Sequence, residues 1–110
     1  MHWPVWRVAV AERSMVPALQ PGDWLLVWRG LRPGRAVRVR PGQIVVARPP
    51  GDGGLLLVKR AGRKTAAGWW LTSDNPGAGA VDSRQFGAVA AAAIEGRVLL
   101  RYHRARPVRG

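Results

Sequence analysis

At 110 residues, 47% apolar and 22% charged, the chain has room for one domain with a modest core, and disorder is not its default state. Its formal net charge of +12 attracts polyanions nonspecifically, but sixteen of its eighteen basic residues are arginines scattered along the chain without a groove-reading motif. No specific nucleic-acid partner is therefore expected. The lack of Cys excludes disulfides, thiolate metal sites and a cysteine nucleophile, and His2 and His103 stand at opposite ends, so neither a metal nor a cofactor is expected.

From the N-terminus, Trp3 to Val10 alternates in part and predicts a strand with Trp6, Val8 and Val10 on one side. Trp3 and Trp6 read as core or edge packing. Ser14 follows at a stiff corner, because Pro17 fixes its own φ and pushes Val16 toward extended geometry. Pro21-Gly22 then turns the chain into an apolar strand, Trp24 to Trp28. Residues 30–34 read as a loop, and Arg35 to Arg40, alternating Arg with Ala or Val, as an exposed ribbon or edge. Pro41-Gly42 turns into a strand from Gln43 to Arg48. After the Pro/Gly-rich loop 49–54, a strand from Leu55 to Arg60 is expected to pair with Ile44-Val45-Val46. This places Lys59 at the end of an apolar run, whereas Lys64, among Gly62, Arg63 and Thr65, reads as part of a turn. Gly68 to Thr72 predicts a strand, Ser73 to Gly79 a loop, and the Ala-rich Ala88 to Ile94 one or two helical turns. Gly96 to Tyr102 closes the fold as a strand, and residues 103–110 form a basic, frayed tail.

These elements predict a mainly β fold: one antiparallel domain spanning 1–110 with one short helix. No apolar stretch approaches the ~18 residues needed to span a bilayer. Residues 1–15 lack the apolar core of a signal peptide, and thirteen residues precede Ser14, so neither leader nor anchor is expected and the location expected is cytoplasmic.

Three segments carry the chemistry. They are Ser14-Met15-Val16-Pro17-Ala18-Leu19 with Pro21-Gly22-Asp23; Leu57-Val58-Lys59-Arg60; and Ser73-Asp74-Asn75 followed by Asp82-Ser83-Arg84 and Phe86-Gly87. In this order and spacing they resemble the type I signal peptidase family of serine peptidases, whose nucleophile is activated by a lysine. The resemblance implies Ser14 as nucleophile, its backbone N–H as oxyanion donor, and Lys59 as general base. It also implies an Asp82–Arg84 ion pair holding the last loop, with Asp23, Asp74, Asn75 and Ser83 supporting the site. A lysine near its ordinary pKa of about 10.4 cannot accept a proton at neutral pH, whereas one desolvated among apolar neighbours can. Within the family, the small size, Trp69-Trp70-Leu71 and the ending Gly96 to Tyr102 resemble the maturation proteases of nickel-type superoxide dismutases. That resemblance implies a precursor protein as substrate, bound extended, with small residues before the cut.

Three positions depart from the family pattern. Glu12 stands where many relatives have a second oxyanion-donating Ser. Ala80 stands where a Ser orients the lysine, with Ser83 as a substitute, and Ser73 replaces the Gly that usually precedes Asp-Asn. General signal peptidases, self-cleaving repressor-type peptidases with the same dyad, and an inactive basic β domain that binds nucleic acid are the competing assignments.

Overall fold

The computed structural model describes residues 3–31, 36–49, 56–78 and 81–103. Short apolar runs punctuated by turns become six strands: β1 (Val5–Ala9), β2 (Trp24–Trp28), β3 (Ile44–Ala47), β4 (Leu57–Thr65), β5 (Gly68–Thr72) and β6 (Ile94–His103). They form one open antiparallel sheet in the order β1-β2-β6-β3-β4-β5. The mainly β fold expected from the sequence is thus the fold observed. Because side chains alternate along a strand, neighbouring Val45 and Val46 enter different cores. Val46 packs with Val8, Val10, Met15, Leu19, Leu25 and Val27, and Val45 with Ala61, Trp69, Leu71, Val89 and Ile94. β3 is covered on both faces, which explains its unbroken apolar run. The expected pairing of β3 with β4 is present, with Val46 opposite Val58 and Val45 opposite Lys59.

Four expectations differ from the structure. Residues 36–40 alternate in exposure but join no strand. Both sides of β3 are taken, by β4 and β6, so the segment has no ladder to extend and is tied down by single contacts, such as Arg97 Nη1 donating to the Arg38 carbonyl at 3.1 Å. Lys64 lies inside β4, opposite Trp69, and the turn falls at Ala66-Ala67. A register irregularity between Ala61 and Lys64 absorbs Gly62-Arg63 without ending the strand.

The third difference concerns the helix. It forms at Ser83–Phe86 (α1), ahead of the Ala-rich run, of which only Ala91–Ala93 makes a 3-10 turn. Asp82 and Gln85 form a capping box that starts α1, and the Val89 amide and carbonyl pair with Trp69 at 2.7–2.8 Å. Tertiary pairing overrides alanine propensity there. Finally, His103 is the last residue of β6 and not part of the tail. Residues 104–110, most of the 49–54 loop, Arg35, Gly79 and Ala80 fall outside the described residues. Among the described residues no helix is long and apolar enough to cross a membrane.

Candidate active site

Ser14 sits in the connection between β1 and β2, whose ends are tied together by Val10 N–H donating to the Asp23 carbonyl at 2.9 Å and Gly22 N–H donating to the Val10 carbonyl at 2.7 Å. Met15 and Leu19 anchor the corner by entering the first core, and the Val16–Pro17 peptide is cis. Asp23 is fully buried beneath it. Its Oδ2 accepts from Gln20 N–H at 2.8 Å and from Arg101 Nη1 at 3.4 Å, while the same Arg101 nitrogen donates to the Ala18 carbonyl at 3.1 Å. The turn carrying Ser14 is therefore pinned to β6 as well as to the core.

Lys59 belongs to the alternating buried set Leu57, Lys59, Ala61 of β4 and is only 1% exposed. Its Nζ donates to Ser73 Oγ at 3.1 Å. Among the described residues no hydrogen bond joins Nζ to Ser14 Oγ. Burial pushes the ammonium below its ordinary pKa range, and the carboxylates of Glu12 and Asp82 partly oppose this. The direction is the one a general base requires.

Three consecutive residues after β5 connect the two halves of the site. Ser73 receives Lys59, and Asp74 holds the next residue of β4, with Arg60 Nε donating to Oδ1 at 3.1 Å and Nη2 to Oδ2. Asn75 donates its backbone N–H to the Ser14 carbonyl at 2.8 Å and its Nδ2 to the Arg13 carbonyl at 3.1 Å. The loop is braced from behind by Asp82, whose Oδ2 accepts from Ser73 N–H at 2.9 Å and whose Oδ1 accepts from Arg84 N–H and Nε at 3.0 and 3.1 Å. Burial pushes the Asp82 carboxyl up, but these hydrogen bonds together outweigh it and hold the group below the usual carboxylate range.

Ser83 does not orient Lys59: its hydroxyl accepts from Leu71 N–H at 2.7 Å and fastens α1 to β5. The lysine's partner is Ser73, which sequence reasoning registered only as a departure from the family. The signal was available, because β4 and β5 pair with Arg60 opposite Thr72, a register that sets residue 73 against residue 59.

A cleft of about 240 Å³ opens beside Ser14, lined by Val8 and Val10 of β1, by Met15, and by Leu56, Leu57 and Val58 at the start of β4. Glu12, exposed, borders it. Its size is below the ~300–1,000 Å³ of small-molecule sites and suits one or two small side chains. Among the described residues no three His, Asp or Glu side chains gather where a metal ion could be held.

The family model described as Peptidase S24-like matches residues 4–99, a span that takes in Ser14, Lys59 and the segment from Ser73 to Arg84. No curated protein matches the chain.

Proposed function

The chain belongs to the Peptidase S24-like family, and from that premise we propose that it is a serine endopeptidase in which Lys59 activates Ser14 to remove an extension from a precursor protein. The observation that carries this reading is a lysine 1% exposed, its basicity lowered by burial, joined through the 73–75 loop to the backbone of Ser14. On substrate binding, the lone pair of neutral Nζ accepts the Ser14 hydroxyl while an N–H still donates to Ser73 Oγ, since catalytic hydrogen bonds often tighten only with substrate present. Oγ attacks the peptide carbonyl as its proton passes to Nζ, and the Ser14 N–H donates to the oxyanion. Collapse breaks the C–N bond, with the Lys59 ammonium returning the proton to the leaving amine. Water, deprotonated by Lys59, then hydrolyses the ester and frees Ser14.

The substrate binds extended along β1, which among the described residues pairs with β2 alone and so leaves one edge to receive a strand. The apolar cleft takes small side chains next to the cut. The resemblance at Trp69 to Leu71 and Gly96 to Tyr102 extends the proposal to a nickel-type superoxide dismutase precursor as the substrate, cleaved in the cytoplasm. The family match also favours self-cleavage as in repressor-type peptidases. Incubating the full chain with that precursor and following both masses separates the two. Shortening of the precursor by wild type, lost in Ser14→Ala and Lys59→Met, is expected. Shortening of this chain alone would favour self-cleavage, and undiminished cutting by Ser14→Ala would remove the mechanism.

A further inference from the structure

Four of the described carboxylates are matched with an arginine: Asp23 with Arg101, Asp74 with Arg60, Asp82 with Arg84 and Glu95 with Arg48. Glu12 is the exception. Among the described residues it makes no ion pair, although eighteen cationic side chains face six acidic ones in the chain. It stands two residues before Ser14, is exposed, and borders the cleft that receives substrate under the proposed function, a cleft lined, apart from Glu12 and Ser14, by apolar side chains. An exposed acid in contact with no internal cation, at the edge of a largely apolar groove and only a longer-range neighbour of Lys59, has an external cation as its complement.

Resting on that peptidase reading, we propose that Glu12 is a specificity-determining residue that recognises a cationic group on the peptide substrate close to the cut bond, either a Lys or Arg side chain or a free α-amino group. The whole-molecule field repels such a substrate, because the chain carries +12, so the preference must come from a local anion. Glu12 is the described carboxylate placed to supply it.

The pairing has a consequence at Lys59. Glu12 acts electrostatically on the lysine, favouring its protonated form. A substrate cation lying against Glu12 offsets that influence and makes Lys59 a readier base, so cationic substrates are favoured in kcat as well as in binding.

The test uses full-length wild-type, Glu12→Gln and Ser14→Ala proteins with a set of quenched-fluorescent peptides. In these, lysine or norleucine occupies each position flanking a cut after small residues, and the N-terminus is free or acetylated. The expected result is that wild type prefers a lysine or free-amine peptide by about fivefold in kcat/KM, the scale of one exposed ion pair, and that 0.5 M salt weakens the preference. Lysine against norleucine and free against acetylated ends then identify which cation is read. Glu12→Gln is expected to cut the same bonds without the preference, and to bring the pH–kcat profiles of the charged and neutral peptides together where wild type separates them. An identical preference in wild type and Glu12→Gln, or none in either, overturns the assignment while Ser14-dependent cutting leaves the peptidase reading standing. Cutting that survives in Ser14→Ala, or no cutting by wild type, overturns both.

Discussion

Burying a lysine is costly, since burial disfavours the charge and a Met or Leu could fill the same space. Lys59 gives that principle a measurable form. Its folded-state pKa is lowered, so the folded chain binds fewer protons than the unfolded chain between the lowered value and about 10.4, and stability rises with pH across that window. Lys59→Met is expected to abolish peptide cleavage, keep or raise the melting temperature at pH 7, and flatten the alkaline rise in stability; a melting temperature lowered by several degrees would show that the ammonium is structurally required. In wild type, kcat/KM is expected to climb with pH through the lowered Lys59 value, with no separate inflection near the ordinary histidine value of about 6.5. Ser73→Ala removes the hydroxyl that holds Nζ, 3.1 Å away. It is expected to lower kcat about tenfold with KM little changed, partly restored by Ser73→Thr, because it positions the base without touching substrate.

The elements matter here for what they fasten to one another. β5 runs into the 73–75 loop, α1 follows, and Asp82 caps α1 while bonding back to Ser73, so one side chain sets both the helix start and the loop that grips Lys59 and Ser14. Asp82→Ala removes a cap and leaves the part-buried Ser73 N–H, together with the Arg84 donors, without their acceptor. The expected cost is about 2–4 kcal/mol in urea unfolding, with cleavage lost in parallel. Because the Asp82 carboxyl is held below the usual carboxylate range, its stabilising contribution is present above the unfolded value near 3.9 and is lost as pH falls through the lower folded value. Acid titration of wild type should show that loss, and Asp82→Ala should lack it.

The legibility of these elements in the sequence followed the kind of signal each carries. β2 and β5 were readable to the residue because an apolar run ends at a turn on both sides. α1 was missed because four residues governed by an Asp-x-x-Gln cap leave no periodicity, while the Ala-rich run after it has propensity but spends its Val89 backbone groups on Trp69. Ser14, Lys59 and the 73–84 boxes were visible as motifs. The role of Ser73 needed the hairpin register, and the position of Glu12 at the cleft required the fold.

At the scale of the molecule, the sheet order separates the two halves of the site. Ser14 hangs between β1 and β2, and Lys59 sits on β4, with β6 and β3 between them. Yet Asn75, just past the opposite edge strand β5, bonds to the Ser14 carbonyl, and one cleft is lined by both β1 and the start of β4. The sheet is therefore curled so that its far strands approach, and β6 is the central strand through which both halves are held in register. Its pairing with β2 contains two irregularities, and beside them Gly96 packs so closely that a Cβ there would run into Val27 Cγ1 and lie 2.8 Å from the Trp28 carbonyl oxygen. A side chain at this point must push β2 and β6 apart, since backbone cannot rotate away as a flexible side chain can. Gly96→Val is expected to cost about 1–3 kcal/mol by urea unfolding and to reduce kcat/KM beyond what the unfolded fraction accounts for, because the strain falls between the halves carrying Ser14 and Lys59. Gly77→Ala, at a glycine with open space around it, is the matched control and should change neither. If Gly96→Val lowered stability but kept wild-type kcat/KM in its folded fraction, the curl would be set by the 73–75 loop and not by the strand that joins the two halves.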